Sequence, residues 1–207
     1  DDWGQSVVVD GAGGISFLTP GTIPVKHRQR LDRIGQPGGY CGVEMLNGRH
    51  LPNGMRGHFV LNDYKANSVR RFALKAEGSG YKLEWKEPLL KSSHRNFRPV
   101  DVKVGPDGAL YIADFYNPII CHQDDYFRDP TRDFHHGRIW RLSLEDAPAV
   151  PLPRIVGTKT PELLEQLKSP ERWTRQKAKN ELAQRPVEKT VTAISKWVAA
   201  LDAKDPL

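Results

Sequence analysis

Three aspartates recur in one local pattern: Gly4-Gln-Ser-Val-Val-Val-Asp10, Gly57-His-Phe-Val-Leu-Asn-Asp63 and Gly108-Ala-Leu-Tyr-Ile-Ala-Asp114. In each, a carboxylate stands six positions after a glycine, at the end of a short β-prone run. Asp10, Asp63 and Asp114 could bring carboxylates from separate repeats to a hard cation such as calcium, which takes oxygen ligands. Each could instead accept hydrogen bonds from its own turn and fix a corner, the role that recurrence at one repeat position favours. A second concentration of chemistry is the stretch His122–His136, with three histidines and four aspartates in fifteen positions. Imidazole and carboxylate together suit a transition metal, which makes His122 and His136 candidate ligands. Arg128 and Arg132 interleave there with Asp129 and Asp133, a pattern that also reads as internal ion pairs.

The elements that must position these groups follow from the spacing. The aspartates lie 53 and 51 residues apart, and Pro52-Asn53-Gly54 and Pro106-Asp107-Gly108 supply turns ahead of the second and third copies. A period near 50 made of short strands and turns predicts β-propeller blades. Ser68–Leu74 and Gly137–Leu142 alternate polar and apolar residues as half-buried strands should, Tyr81–Glu87 reads as an outer strand, and Phe97–Val104 opens a third blade. The fold expected is mainly β: about three blades of a larger propeller over residues 1–150, a proline-rich linker over 151–158, and a helical segment over 159–207. In that segment Thr160-Pro161-Glu162 and Ser169-Pro170-Glu171 each offer a capping hydroxyl, a proline for the first turn and an acid. Pro186 ends the second helix, and Val191, Ile194, Val198 and Leu201 repeat at helical spacing. Ser169–Leu182 is similar to the second helix of a HEAT-type repeat, and a plain helical cap on the propeller is the simpler alternative.

Composition narrows the function classes. The 207 residues carry a net charge of +6, but Lys and Arg are scattered, with small clusters at Lys26–Arg33 and Lys91–Arg98, and Asp124–Asp133 is acidic. Nucleic acid is not the expected partner. No apolar run approaches the roughly 18 residues of a membrane span. Cys41 and Cys121 are the only cysteines and form no Cys-x-x-Cys; they are either one disulfide or two unpaired thiols. No Gly-x-Gly-x-x-Gly, P-loop or Gly-x-Ser-x-Gly is present, so neither nucleotide cofactors nor a hydrolase elbow is expected. The chain begins Asp1-Asp2-Trp3 without Met and reads as a processed or excised piece.

The run Phe97–Ile120, with Phe127-Arg-Asp-Pro130, His136-Gly-Arg-Ile-Trp-Arg141, Tyr40-Cys-Gly-Val-Glu44, Gly48-Arg-His-Leu-Pro52 and Trp173-Thr-Arg-Gln176, resembles a family of large secreted proteins of planctomycetes and verrucomicrobia named membrane-bound dehydrogenases. The resemblance implies a propeller, HEAT-like repeats and a c-type haem domain outside this chain, in a periplasmic or extracytoplasmic setting. His94-Arg95-Asn96 is similar to a His-Arg-Asn in the soluble quinoprotein glucose and sorbosone dehydrogenases, although Phe97-Arg98-Pro99 replaces the proline expected directly after the asparagine. That similarity implies Arg95 and Asn96 as contacts of pyrroloquinoline quinone and His94 as the catalytic base; the alternative is a solvated basic loop in which His94 is an exposed histidine and not a base. The function so implied is a sugar or polyol oxidoreductase passing electrons to the fused haem domain. Two alternatives stand beside it: a non-catalytic glycan- or protein-binding module, and a calcium-assisted, lactonase-like hydrolase. The expected partners are the remaining blades and haem domain of the same polypeptide and a sugar or polyol.

Overall fold

The computed structural model describes residues 5–10, 14–19, 21, 29–32, 39–120, 128–147 and 150–202. Among the described residues ten strands come first: β1 Ser6–Asp10, β2 Gly14–Leu18, β3 Gln29–Asp32, β4 Tyr40–Met45, β5 Phe59–Asp63, β6 Ser68–Glu77, β7 Gly80–Lys91, β8 Pro99–Val104, β9 Leu110–Asp114 and β10 Arg138–Leu142. They form three antiparallel sheets in simple chain order, β1-β2-β3, β4-β5-β6-β7 and β8-β9-β10. Three helices follow: α1 Thr160–Gln166, α2 Arg172–Ala183 and α3 Val187–Ala199. The fold is mainly β, a partial propeller of three blade-like meanders, with no closed barrel among the described residues.

The repeat seen in the sequence is a repeat of register. Asp10 pairs with Gly14, Asp63 with Ser68 and Asp114 with Arg138, so each aspartate ends one strand opposite the first residue of the next. β1, β5 and β9 are therefore equivalent in register.

One apolar core joins the first two sheets. Ile15 of β2 is buried with Tyr40, Leu61 and Phe72 of the second sheet, and Val7, Val9, Leu31, Val43, Leu83 and Trp85 pack around them. Alternation along β5 explains it: Phe59 and Leu61 turn to this core, while Val60 and Asn62, also fully buried, alternate with them. The second and third sheets meet where β4 passes β8. Gly42 has φ +55 at a β-bulge, and a Cβ there would stand 2.9 Å from Asp101 Cα, so the close approach requires glycine.

Cys41, beside that bulge, is a free thiol; Cys121 lies outside the described residues. Its Sγ donates to Pro99 O at 3.5 Å. Burial, with the Asp101 and Asp63 carboxylates adding, pushes the thiol up to about 11. A raised thiol pKa favours the neutral, unreactive form. At pH 8, in a Cys121→Ser background, iodoacetamide should label Cys41 about 100-fold or more slowly than a peptide cysteine. A rate near the peptide value would show the thiol to be neither buried nor shifted.

Three local expectations are corrected. Thr160 does not cap α1: Lys159 holds that position without a side-chain bond, and the Thr160 hydroxyl accepts from Arg185 Nη1 at 2.8 Å. The strand at 137–142 is not half-buried. β10 is the edge of its sheet, and Ile139 is 76% exposed where its register equivalent Val69 is fully covered. Val191, Ile194 and Val198 make an exposed stripe, because α3 turns Ala193 and Trp197 toward Leu163, Leu164, Ala178 and Leu182.

The chain divides into two units. One comprises Asp1–Leu46, Gly57–Lys103 and Leu110–Leu142; the other comprises Asn47–Arg56, Val104–Ala109 and Ser143–Leu207. Within the second, a Cβ on Gly48 would stand 2.2 Å from Gly108 O, and Arg49 Nε donates to the buried Glu171 carboxylate at 2.5 Å.

Candidate functional site

The two described aspartate corners are built alike. Asp63 Oδ1 accepts from Gly39 N at 3.4 Å and Ala66 N at 3.1 Å, Arg70 Nη1 stands 3.6 Å from Oδ2, and Tyr64 N donates to Gly39 O. Asp114 Oδ1 accepts from Arg98 N and Tyr116 N, both at 2.8 Å, Oδ2 accepts from Trp140 Nε1 at 3.0 Å, and Phe115 N donates to Arg98 O. Each carboxylate ties the start of its blade's first strand to the end of the second. Both are nearly fully buried, and their oxygens face N–H donors, the opposite of a cation's requirement. The calcium expectation finds no support at Asp63 or Asp114. Asp10 lies at the equivalent backbone position, but its side chain, like the whole of His122, is outside the described residues. Among the described residues no three His, Cys, Asp or Glu side chains gather as metal ligands.

Arg98 links the two corners, and the sequence did not single it out as a site residue. Its guanidinium donates to Tyr64 O at 2.7 Å on one side, and to Asn117 O at 3.0 Å and Pro118 O at 2.7 Å on the other. Partial burial, then the neighbouring Arg95 charge, lower its pKa, and Asp114 opposes this. The available signal was the break in the expected motif, Phe97-Arg98-Pro99 standing where proline should follow asparagine directly.

His94, Arg95 and Asn96 form a loop fastened from inside. Asn67, at φ +52, donates its amide to the carbonyls of His94, Arg95 and Phe97. His94 Nδ1 accepts from Asn96 N at 3.2 Å, and its ring stacks on Tyr116 at 5.7 Å. Neutral His94 therefore carries its proton on Nε2 and offers no outward lone pair there. Arg95 is exposed, and among the described residues neither its guanidinium nor the Asn96 amide group has a hydrogen-bond partner. That donor pair fits the carboxylates and carbonyls of a quinone such as pyrroloquinoline quinone.

Beyond the same corner lies an open cleft of about 550 Å³ lined by Asp114, Phe115, Asn117 and residues 132–137. Asn117 anchors its far wall by donating to Asp133 O at 3.0 Å. Asp133 Oδ1 accepts from the amides of His135 and His136, and Oδ2 stands 2.8 Å from His136 Nδ1. The His135 amide above all, with His136 assisting and partial burial opposing, holds the Asp133 carboxyl below the usual range. His136 is two-thirds exposed. A carboxylate at Nδ1 demands a proton there, so neutral His136 presents the Nε2 lone pair outward, the reverse of His94. Arg132 stands near enough to Asp129 to lower its pKa, but Asp129's principal partner is Thr131 and the partner of Asp133 is His136.

Comparison with known proteins gives three findings. No curated protein matches the chain. Among solved structures, a Thermus thermophilus protein assigned as an oxidoreductase (glucose dehydrogenase) aligns with a TM-score of 0.41 and 19% identity, over 62% of this chain and 35% of that one. The chain thus spans about a third of that neighbour's length. A domain family of unknown function, DUF7133, matches residues 10–146, the blades and the cleft together. With that match covering most of its length, the chain belongs to the DUF7133 family.

Proposed function

We propose that this cleft is the alcohol-binding part of an oxidoreductase acting on a sugar or polyol, with His136 as the group that takes the hydroxyl proton. The observation that carries the reading is the 2.8 Å contact between Asp133 Oδ2 and His136 Nδ1 at the mouth of the cleft. The carboxylate fixes the tautomer, orients the ring and stabilises the imidazolium that forms. The proton lands on Nε2, at the exposed end of a side chain whose other end is bonded. A bound quinone would supply the hydride acceptor, and Arg95 and Asn96 would hold it. In the full polypeptide, in a periplasmic or extracytoplasmic setting, a c-type haem domain would receive the electrons.

His136→Gln should lower sugar-dependent dye reduction by the full-length protein with added quinone about 100-fold or more, the usual worth of a positioned base. His94→Gln should leave it within a few-fold. Equal losses in the two variants, or an unaffected His136→Gln enzyme, would overturn the assignment. Phe115 (49% exposed) and Phe134 (63% exposed) line the same cleft, which favours glycan binding as the second reading. Sugar binding without dye reduction would select it, and acid release from lactones without an acceptor would select a hydrolase.

A further inference from the structure

Between the first two sheets lies a pocket that the reading above does not use. It sits wholly within the blade unit, at the ends of β1 and β5 away from their aspartates, is partly open to solvent and has a volume of about 260 Å³. Val7, Phe17, Met45, Phe59 and Leu74 line it with apolar surface, and Gln5, Ser6 and Tyr81 supply polar groups. Among the described residues no charged side chain lines it.

The surrounding backbone keeps this space open. Gly57, which also lines it, has φ +76, and a Cβ there would meet nothing within 4 Å. Room therefore stands beside a residue whose conformation disfavours any side chain that could fill it. The Gly57 amide donates to Leu46 O at 2.9 Å and fixes that turn. Tyr81 is held by Gln29 of β3: its amide donates to Gln29 Oε1, and Gln29 Nε2 donates to its carbonyl, both at 3.1 Å. The Phe17 ring meets the Tyr81 ring edge to face at 4.8 Å, and Phe59 stacks on the fully buried Phe72 at 5.3 Å. With its walls pinned in this way the pocket cannot close by collapse, and packed sheets rarely leave such a space between them.

Size and lining name the occupant. An apolar cavity of about 150 Å³ takes one benzene ring, so this pocket takes on the order of ten non-hydrogen atoms. The rings of Phe17, Phe59 and Tyr81 and the Met45 thioether favour an aromatic guest, through edge-to-face and sulfur contacts. An ion would lose its hydration with no countercharge to meet it. The Tyr81 hydroxyl donates to Gln5 Oε1 at 3.5 Å, long for an O–H···O bond, and so is open to a better partner. We infer that the pocket is a second binding site, for a small neutral aryl alcohol whose hydroxyl meets Tyr81. The inference stands apart from the chemistry assigned to His136.

Calorimetric titration of the full-length protein with 2-naphthol tests it, with 2-naphthoate and glucose as comparators. 2-Naphthol should bind at least ten times more tightly than either. Leu74→Phe, which fills the pocket from within, and Ser6→Trp, which obstructs it from an exposed position, should each weaken binding at least tenfold, and thermal melts identify whichever variant is folded. Tyr81→Phe keeps the ring and should weaken binding several-fold. His136→Gln should bind 2-naphthol as the parent does. The inference fails if 2-naphthol does not bind, if 2-naphthoate binds as tightly, or if a folded filling variant binds like the parent. Unchanged binding by Tyr81→Phe would remove the hydroxyl contact and with it the alcohol. Lost binding in His136→Gln would put the ligand in the cleft and overturn the second site.

Discussion

Replacing Phe72 by alanine should destabilise the blade unit by about 4 kcal/mol, the usual range for emptying a fully buried phenylalanine site. Phe72 is completely covered, stacks on Phe59 at 5.3 Å and meets the edge of Trp85 at 5.8 Å. It also shares a core with Ile15 of the neighbouring sheet, so the cavity would open where two sheets stack and would not be confined to one. Neither sheet buries its apolar face alone, which leaves little capacity to collapse around the loss. Thermal unfolding followed by tryptophan fluorescence should fall by about 10 °C, and Phe72→Leu should lose roughly half as much. An alanine variant that melts within 2 °C or so of the parent would show that the two sheets do not share this core.

The second large effect concerns the corners. Asp114→Ala should cost about 3 kcal/mol, because it strands the amides of Arg98 and Tyr116 and the Trp140 indole N–H in partly buried surroundings. Trp140 also meets the edge of Phe97, so freeing the indole loosens the start of β8 as well. Asp63→Ala should cost less, since its amide contacts are longer, at 3.4 and 3.1 Å, and its third partner is an arginine at 3.6 Å. Urea unfolding of the two variants checks the order as well as the size. A larger loss at Asp63, or none at Asp114, would mean that the carboxylates are not corner staples.

The sequence carried the strands because they obey a period of two and end at turn residues, both local properties. The Gly-to-Asp spacing was legible for the same reason: the corner is made by a carboxylate and the amides two or three residues after it, with one more from the start of the blade. What could not be read was where long polar side chains turn. Arg98 looks like any member of the basic cluster Lys91–Arg98 until the carbonyls of Tyr64, Asn117 and Pro118 are seen to converge on it. His94 and His136 are equivalent as letters, and only their hydrogen bonds at Nδ1, one accepted from an amide and one shared with a carboxylate, separate a closed imidazole from an open one. The cap of α1 is not legible in the sequence, because a hydroxyl beside a proline is a capping signal only while no arginine competes for it, and Arg185 comes from 25 residues further along.

The two loops that join the helices in one unit limit how this protein could be rebuilt by gene fusion or recombination. Arg49, between β4 and β5, holds the buried carboxylate of Glu171, while Gly48 and Gly108, from two different blades, touch backbone to backbone beside Val150. A crossover placed just after Val150 would look harmless on a linear map. It would part an arginine from its acid, uncover two loops that are not contiguous in sequence, and hand the incoming segment no substitute for either. The helices are thus inherited with the blades, and exchange between related genes would succeed only by carrying both loops along.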